Sequence, residues 1–288
     1  MIDSRSATVA DLPEIHRIWW AADPFEAFND NPWFGHVLRT GSMLVATIDV
    51  RPIGFAGVRQ VGGTTVVSDC FVPGDRPVMT LASSDPKARV GTELLSRLVL
   101  PDHQGQGVGT ELLSRLVPGD RPVMTLASSD PKARALYTSF GMTVQWDCHY
   151  LEGDPGRVER VVGLVLEASG YPVEESDPMH LRDDLRCRFL ETGGGHAAVA
   201  VDEIESSVVT PAGDPVGVLT AVLGWAADRG DHPVKLHLSD RHPAFPGLIE
   251  AGFVVTGADT LMASPGAQVP DPTRVTFNGD ILRLPMIW

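Results

Sequence analysis

Residues Gln104-Gly105-Gln106-Gly107-Val108-Gly109-Thr110-Glu111 form a glycine-rich loop that runs straight into an amphipathic helix. Val108, Leu112, Leu113, Leu116 and Val117 recur at helical spacing, while Glu111, Ser114 and Arg115 fall on the wet side. Glycines ahead of a helix start let consecutive backbone N–H groups close on a phosphate, and the helix dipole favours the negative charge. An ordinary strand-to-helix turn shares this pattern, so the flanking sequence decides between the two.

Upstream, the β-branched run Thr64–Val72 reads as a buried strand. Downstream, Pro122–Ala127 reads as a second strand, and Asp130–Tyr137 as a short helix entered by Pro131. Phe140-Gly141-Met142 stops that helix, with glycine where a left-handed cap is needed. This order of strand, loop, helix, strand, helix and Gly-Met resembles the GNAT superfamily of acyl-CoA-dependent N-acetyltransferases. Gln104–Gly109 fit the family's pyrophosphate motif, Arg/Gln-x-x-Gly-x-Gly/Ala. The later Asn-x-x-Ala-x-x-x-Tyr is met at Ala133 and Tyr137, with Asp130 in place of the usual Asn.

The resemblance implies an α/β (α+β) fold in which a mixed, mostly antiparallel twisted sheet is flanked by helices. It implies acetyl-CoA as co-substrate and no metal. The residues it assigns to CoA are Val72, Gln104, Gly105, Gln106, Gly107, Val108, Gly109, Thr110 and Asp130. Family members transfer the acetyl group directly to an amine in a ternary complex, so the chemistry reduces to positioning, deprotonating an ammonium and neutralising a thiolate. Tyr137 is the expected general acid, its pKa lying above that of a thiol. Asp69, on the strand before the loop, is the expected base. Glu26 and Asp30 are comparable candidates, and His103 is expected to decorate the phosphate site.

A chain of 288 residues accommodates two domains, and the order of elements starts again after Glu152-Gly153-Asp154-Pro155-Gly156. The expectation is an acetyltransferase domain at 1–152 and a degenerate, GNAT-like one at 153–288. In the first, Asp11 is expected to cap a helix with Pro13 just inside and Glu14 closing a capping box. A second short helix is expected around 32–39, then a hairpin of Ser42–Ile48 and Ile53–Val58. Trp20, Phe25, Phe28, Trp33 and Phe34 crowd the region that walls the acceptor pocket in the family. In the second, Val158, Val161, Val162 and Val165 predict a helix over 157–169. Gly193-Gly194-Gly195 predicts a hairpin turn, and an apolar helix runs from Gly217 through Trp225. Setting Gly217 against Gly109 puts Ala212 in place of Gln104 and Pro215 in place of Gly107; proline offers a phosphate no N–H. Leu248 stands where Tyr137 would be. Tandem arrangements with unequal domains occur in the family, mycothiol synthase among them. The last residues, 274–277 and 281–288, read as strands around Asn278-Gly279.

The chain also carries an exact internal duplication. Residues 73–99 are a cyclic permutation of 108–134, both 27 residues long. Joining Phe71-Val72 directly to Leu100 restores an uninterrupted core. The flanking sequence marks 108–134 as the copy in register, because only that helix follows Gln104–Gly107 and only that strand leads on to Tyr137. Duplicate strand and helix sequences compete for the same slots, which endangers activity before it endangers folding.

A net charge of −14 argues against nucleic acid as a partner and is compatible with a cationic amine substrate. The N-terminus lacks the pattern of a signal peptide, and no apolar run reaches membrane-spanning length. Cys70, Cys148 and Cys187 are isolated, as suits buried thiols in a reducing compartment. The expectation is a cytoplasmic enzyme, monomer or homodimer, acting on a small amine. A non-catalytic acyl-CoA-binding or regulatory protein is the alternative.

Overall fold

The computed structural model describes residues 2–22, 35, 38, 42–61, 64–71, 107–117, 119, 121–127, 131–159, 165–167, 188–199, 203–210, 212–230 and 233–277. Of the helix expected around 32–39 only residues 35 and 38 are described, both helical; the aromatic side chains named above, Gln104–Gln106 and the strand expected at 281–288 lie outside the described residues. The chain divides into two compact units. Unit 1 is Met1–Val144 with Met262–Ala267, and unit 2 is Gln145–Leu261 with Gln268–Trp288.

Unit 1 opens with strand β1 (Asp3–Ser6) and a 3₁₀ turn (Val9–Asp11) leading into helix α1 (Leu12–Ala22). Asp11 does not pair with Glu14. Its carboxylate accepts from Thr8 N at 2.8 Å and Thr8 Oγ1 at 2.9 Å, and it holds Arg5 at 2.6 Å. Arg5 keeps that carboxyl well below the usual carboxylate range. The cap thus lies one turn earlier than the sequence pattern suggests, and Glu14 pairs with Arg17 instead.

Strands β2 (Ser42–Ile48), β3 (Arg51–Val61) and β4 (Thr64–Phe71) form an antiparallel meander on β1. Alternation along β2 sends Met43 and Val45 toward Ile15 and Ile18 of α1. Leu44 and Ala46 face a second core on the other side of the sheet. A register shift opposite Ala46 and Thr47 leaves Ile53 as an extra residue on β3. Ile53 therefore joins Ala56 and Val58 in that second core, while Phe55 faces α1. Helix α2 (Val108–Leu116) fills the second core through Val108, Leu112, Leu113 and Leu116. Strand β5 (Val123–Ala127) then runs parallel to β4, as a crossover through a helix requires. Helix α3 (Pro131–Ser139) follows, stopped by Gly141 at φ +80°. The far edge of β5 is met by Ser264, whose N–H donates to Val123 O at 2.8 Å.

Strand β6 (Thr143–Gly153) begins in unit 1 and continues into unit 2, where it pairs antiparallel with β11 (Val234–Ser239). The rest of unit 2 comprises β7 (Leu166–Glu167), β8 (Arg188–Thr192), β9 (Gly195–Val199), β10 (Glu203–Val209), helix α4 (Pro215–Arg229), helix α5 (Phe245–Glu250), β12 (Val254–Ala263) and β13 (Val275–Phe277). The valine-rich stretch after Arg157 is not a helix where it is described. Leu166 and Glu167 pair antiparallel with Glu191 and Leu190. The glycine triplet turns the β8–β9 hairpin as expected. Leu219, Val222, Leu223 and Ala226 of α4 pack on Leu236 and Leu238 of β11 and on Leu248 of α5.

Two predictions follow from local conformation. Val50 sits at φ +63° in the β2–β3 turn, a conformation costly for a β-branched residue, and is 92% exposed. Val50→Gly should stabilise the fold by up to about 1 kcal/mol, read as a raised thermal midpoint. His242 is buried, its Nδ1 accepts from Ala244 N at 3.2 Å, and burial pushes its pKa down to about 4 against the pull of Asp271. The unfolded imidazole titrates near 6.5, so stability is full above that pH and falls as pH drops toward the folded value. His242→Asn, which keeps an acceptor without the titration, should flatten the stability profile over that window.

Candidate active site

In unit 1 the parallel strands β4 and β5 define the site. Their ladder joins Thr65–Val67 to Val123–Thr125 and, among the described residues, ends there. The Thr125 hydroxyl donates to Val67 O at 3.2 Å across the last rung. At the same point β4 changes its register on β3: Val67 pairs with Val58, and Asp69 with Gly57, so Ser68 is an extra residue. Such a bulge bends and twists a strand and disrupts its ladder, and here it falls one residue past the last described pair with β5.

Helix α2 packs on these strands, with Val108 of its first turn in one core cluster with Val67 of β4 and Val123 of β5. Gly107 is its N-cap, left-handed at φ +82° and ψ 12°, with no side-chain cap bond, and its carbonyl accepts from Glu111 N at 2.9 Å. The first-turn N–H groups of a helix have no partner within the helix, so Val108, Gly109 and Thr110 present donors at its positive end. Val108 is the buried anchor; Thr110 is exposed. The two glycines act differently. A Cβ on Gly107 would meet nothing within 4 Å, so only its backbone angle demands glycine, whereas a Cβ on Gly109 would lie 3.0 Å from Leu136 Cδ2 of α3.

Gly107, Val108, Gly109 and Thr110 are therefore brought together as a potential anion site. Val72, Gln104, Gly105, Gln106 and Asp130, together with His103, Glu26 and Asp30, lie outside the described residues. Asp69 is placed by its backbone pairing with Gly57, and its side chain is not described. Tyr137 lies on α3, 4% exposed, in the same apolar cluster as Val108 and Leu112. Among the described residues no group of three His, Cys, Asp or Glu is placed to hold a metal ion.

Unit 2 repeats the plan with different contents. Strands β10 and β11 pair in parallel at Glu203–Ile204 and Lys235–Leu236. Past that point β13 lies between them, antiparallel to both, with Ser206–Val208 on Phe277–Val275 and Leu238 on Thr276. The gap between the parallel strands is filled by the chain itself. The N-terminus of α4 is likewise occupied: the Asp214 carboxylate accepts from Val216 N at 3.2 Å and Gly217 N at 3.0 Å. The preceding loop is locked in place. Gly194 O accepts from Thr210 N at 2.9 Å, a Cβ on Gly213 would fall 2.0 Å from Gly194 O, and Arg274 donates to the carbonyls of Thr210 and Gly213. Asp214, and not Pro215 alone, therefore occupies this helix start, and Asp-Pro is the sequence signal of an acidic N-cap before proline at N1.

Comparison with known proteins agrees with this geometry. Residues 39–143 match a family model described as an acetyltransferase (GNAT) domain. No curated protein matches the chain in sequence. Among solved structures, it is similar to a protein of Pyrococcus horikoshii designated an acetyltransferase, with a TM-score of 0.65 and 16% identity over 97% of this chain and 92% of that one. A GCN5-related N-acetyltransferase from Sphaerobacter thermophilus gives a TM-score of 0.54 and 16% identity over 93% and 98% of the two chains. A tandem GNAT protein from the clavulanic acid biosynthesis pathway gives 0.55 and 13% identity over 94% and 100%. The fold is therefore the GNAT fold, mixed sheets with flanking helices, and the likeness to a tandem protein runs through both units.

The two glycines of α2 should separate in mutagenesis. Gly107→Val forces a β-branched residue into the left-handed region at a cost of about 1–2 kcal/mol, and should weaken CoA binding about tenfold or more. Gly109→Leu should act chiefly on the α2–α3 contact, lowering the thermal midpoint.

Proposed function

We propose that this chain is an acyl-CoA-dependent N-acetyltransferase that moves the acetyl group of acetyl-CoA to a primary amine, and that unit 1 alone holds the cofactor. The observation that carries this reading is the glycine N-cap of α2, which has no side-chain cap bond among the described residues, on a helix whose Val108 shares a core cluster with Val67 of β4 and Val123 of β5. The helix end suits the diphosphate, and the backbone of Asp69–Phe71 would pair with an extended amide chain such as pantetheine. Gln104–Thr110, with Val72 and Asp130, would hold the cofactor. Tyr137 would protonate the leaving thiolate, and Asp69 would draw the proton from the incoming ammonium directly or through water. The acidity of the chain, −14 overall, would favour the approach of a small cationic acceptor.

Asp214 and β13 support the silence of unit 2, since an anion mimic and a strand stand where diphosphate and pantetheine would lie. The reading as a non-catalytic acyl-CoA-binding protein keeps one observation in its favour: residues 73–99 interrupt the chain between β4 and the phosphate loop.

Calorimetric titration of the full chain with acetyl-CoA should give about one site, weakened about tenfold or more in Gly107→Val. Two sites would overturn the assignment of a silent unit 2, and none would overturn the reading of α2. Thiol release from acetyl-CoA in the presence of amines separates the enzyme from the binding protein. Tyr137→Phe should lower turnover about a hundredfold with acetyl-CoA affinity nearly intact; turnover unchanged at neutral and high pH alike removes the role of Tyr137.

A further inference from the structure

The crossover helices of the two units treat a nearby carboxylate in opposite ways. At α4 the Asp214 carboxylate turns back onto the Val216 and Gly217 N–H groups, so that helix carries its own anion. The first turn of α2 also bears an acid, Glu111, and the dipole attracts any carboxylate in that turn. Yet Glu111 faces away. Its Oε1 lies 2.7 Å from Arg115 Nε, one turn toward the C-terminus, and accepts from Ser4 Oγ at 3.3 Å. Arg115 Nη1 in turn donates to Ser4 O at 2.7 Å. Ser4 is 5% exposed and paired with Ala46 of β2, so the clasp is anchored in the sheet.

Resting on the reading of α2 as the diphosphate site, we infer that Arg115 and Ser4 are positioning residues for that site: they hold the Glu111 carboxylate away from the helix N-terminus and leave its N–H groups to the ligand. Without Arg115, the Glu111 charge is no longer balanced and the side chain is free to swing toward the helix mouth. It then repels the diphosphate and competes with it for the donors, as Asp214 occupies them in α4. Arg115 and Glu111 are half and roughly one-third exposed, and exposed pairs of this kind contribute little to folding. The effect is therefore on the ligand's charge more than on stability.

The test is a double-mutant cycle in the full chain, read by calorimetric titration with CoA. Arg115→Gln should bind CoA about fivefold more weakly, the size expected of one nearby charge acting through solvent on a diphosphate. Added salt should shrink that loss. Glu111→Gln should bind as tightly as the unsubstituted chain or more so. The double variant Glu111→Gln/Arg115→Gln should return to within about twofold of the unsubstituted chain, because removing the acid removes what Arg115 restrains. Acetyl-pantetheine, which lacks the diphosphate, should show no difference among the four proteins. A double variant as weak as Arg115→Gln overturns the inference, as does an Arg115→Gln protein with unchanged affinity. Absence of CoA binding by the unsubstituted chain overturns the parent reading and this inference with it, so the two failures are distinct.

Discussion

A parallel strand pair that parts leaves backbone donors and acceptors needing partners, and both units are organised by that constraint. Buried N–H and C=O groups are almost always paired, so whatever enters the gap between such strands must resemble a strand. In unit 2 the entrant is β13, which pairs with β10 on one side and β11 on the other. In unit 1 the bulge at Ser68 bends β4 at the rung where its ladder with β5 ends, and the extended, amide-bearing arm of an acyl-CoA is the proposed entrant.

The same contrast recurs at the helix that follows each gap. A helix N-terminus concentrates unpaired N–H groups and positive potential. Helix α4 satisfies them internally through Asp214, with the loop before it pinned by Gly194 and Arg274. Helix α2 starts at a glycine that has no side chain to do so, and its one first-turn acid is engaged by Arg115 and Ser4.

Much of unit 1 is legible in the sequence because its signals are local. The glycines at 107 and 141 mark left-handed caps, Pro131 opens α3, and the 3.6-residue spacing from Val108 to Leu116 names the buried face of α2. Where several local readings compete, pattern alone misleads. Asp11 reads as a cap for α1 and serves Thr8 and Arg5 instead, because a bidentate guanidinium contact outweighs a single cap bond. The spacing of Val158–Val165 reads as helical, yet Leu166 and Glu167 just beyond it pair with Glu191 and Leu190, a tertiary pairing that local spacing does not encode.

By itself the sequence determined the strand, glycine loop, helix, strand and helix order of unit 1 from Thr64 to Ser139, and with it the GNAT resemblance, all of which depend on residues a few positions apart. Only the tertiary structure decided that β6 and β12 each supply residues to both units, that β13 enters the gap between β10 and β11, and that Ser4 meets Glu111 and Arg115. Those pairings join residues far apart in the chain. Their register depends on which backbone groups remain unpaired once the sheets have formed, and no local pattern encodes it.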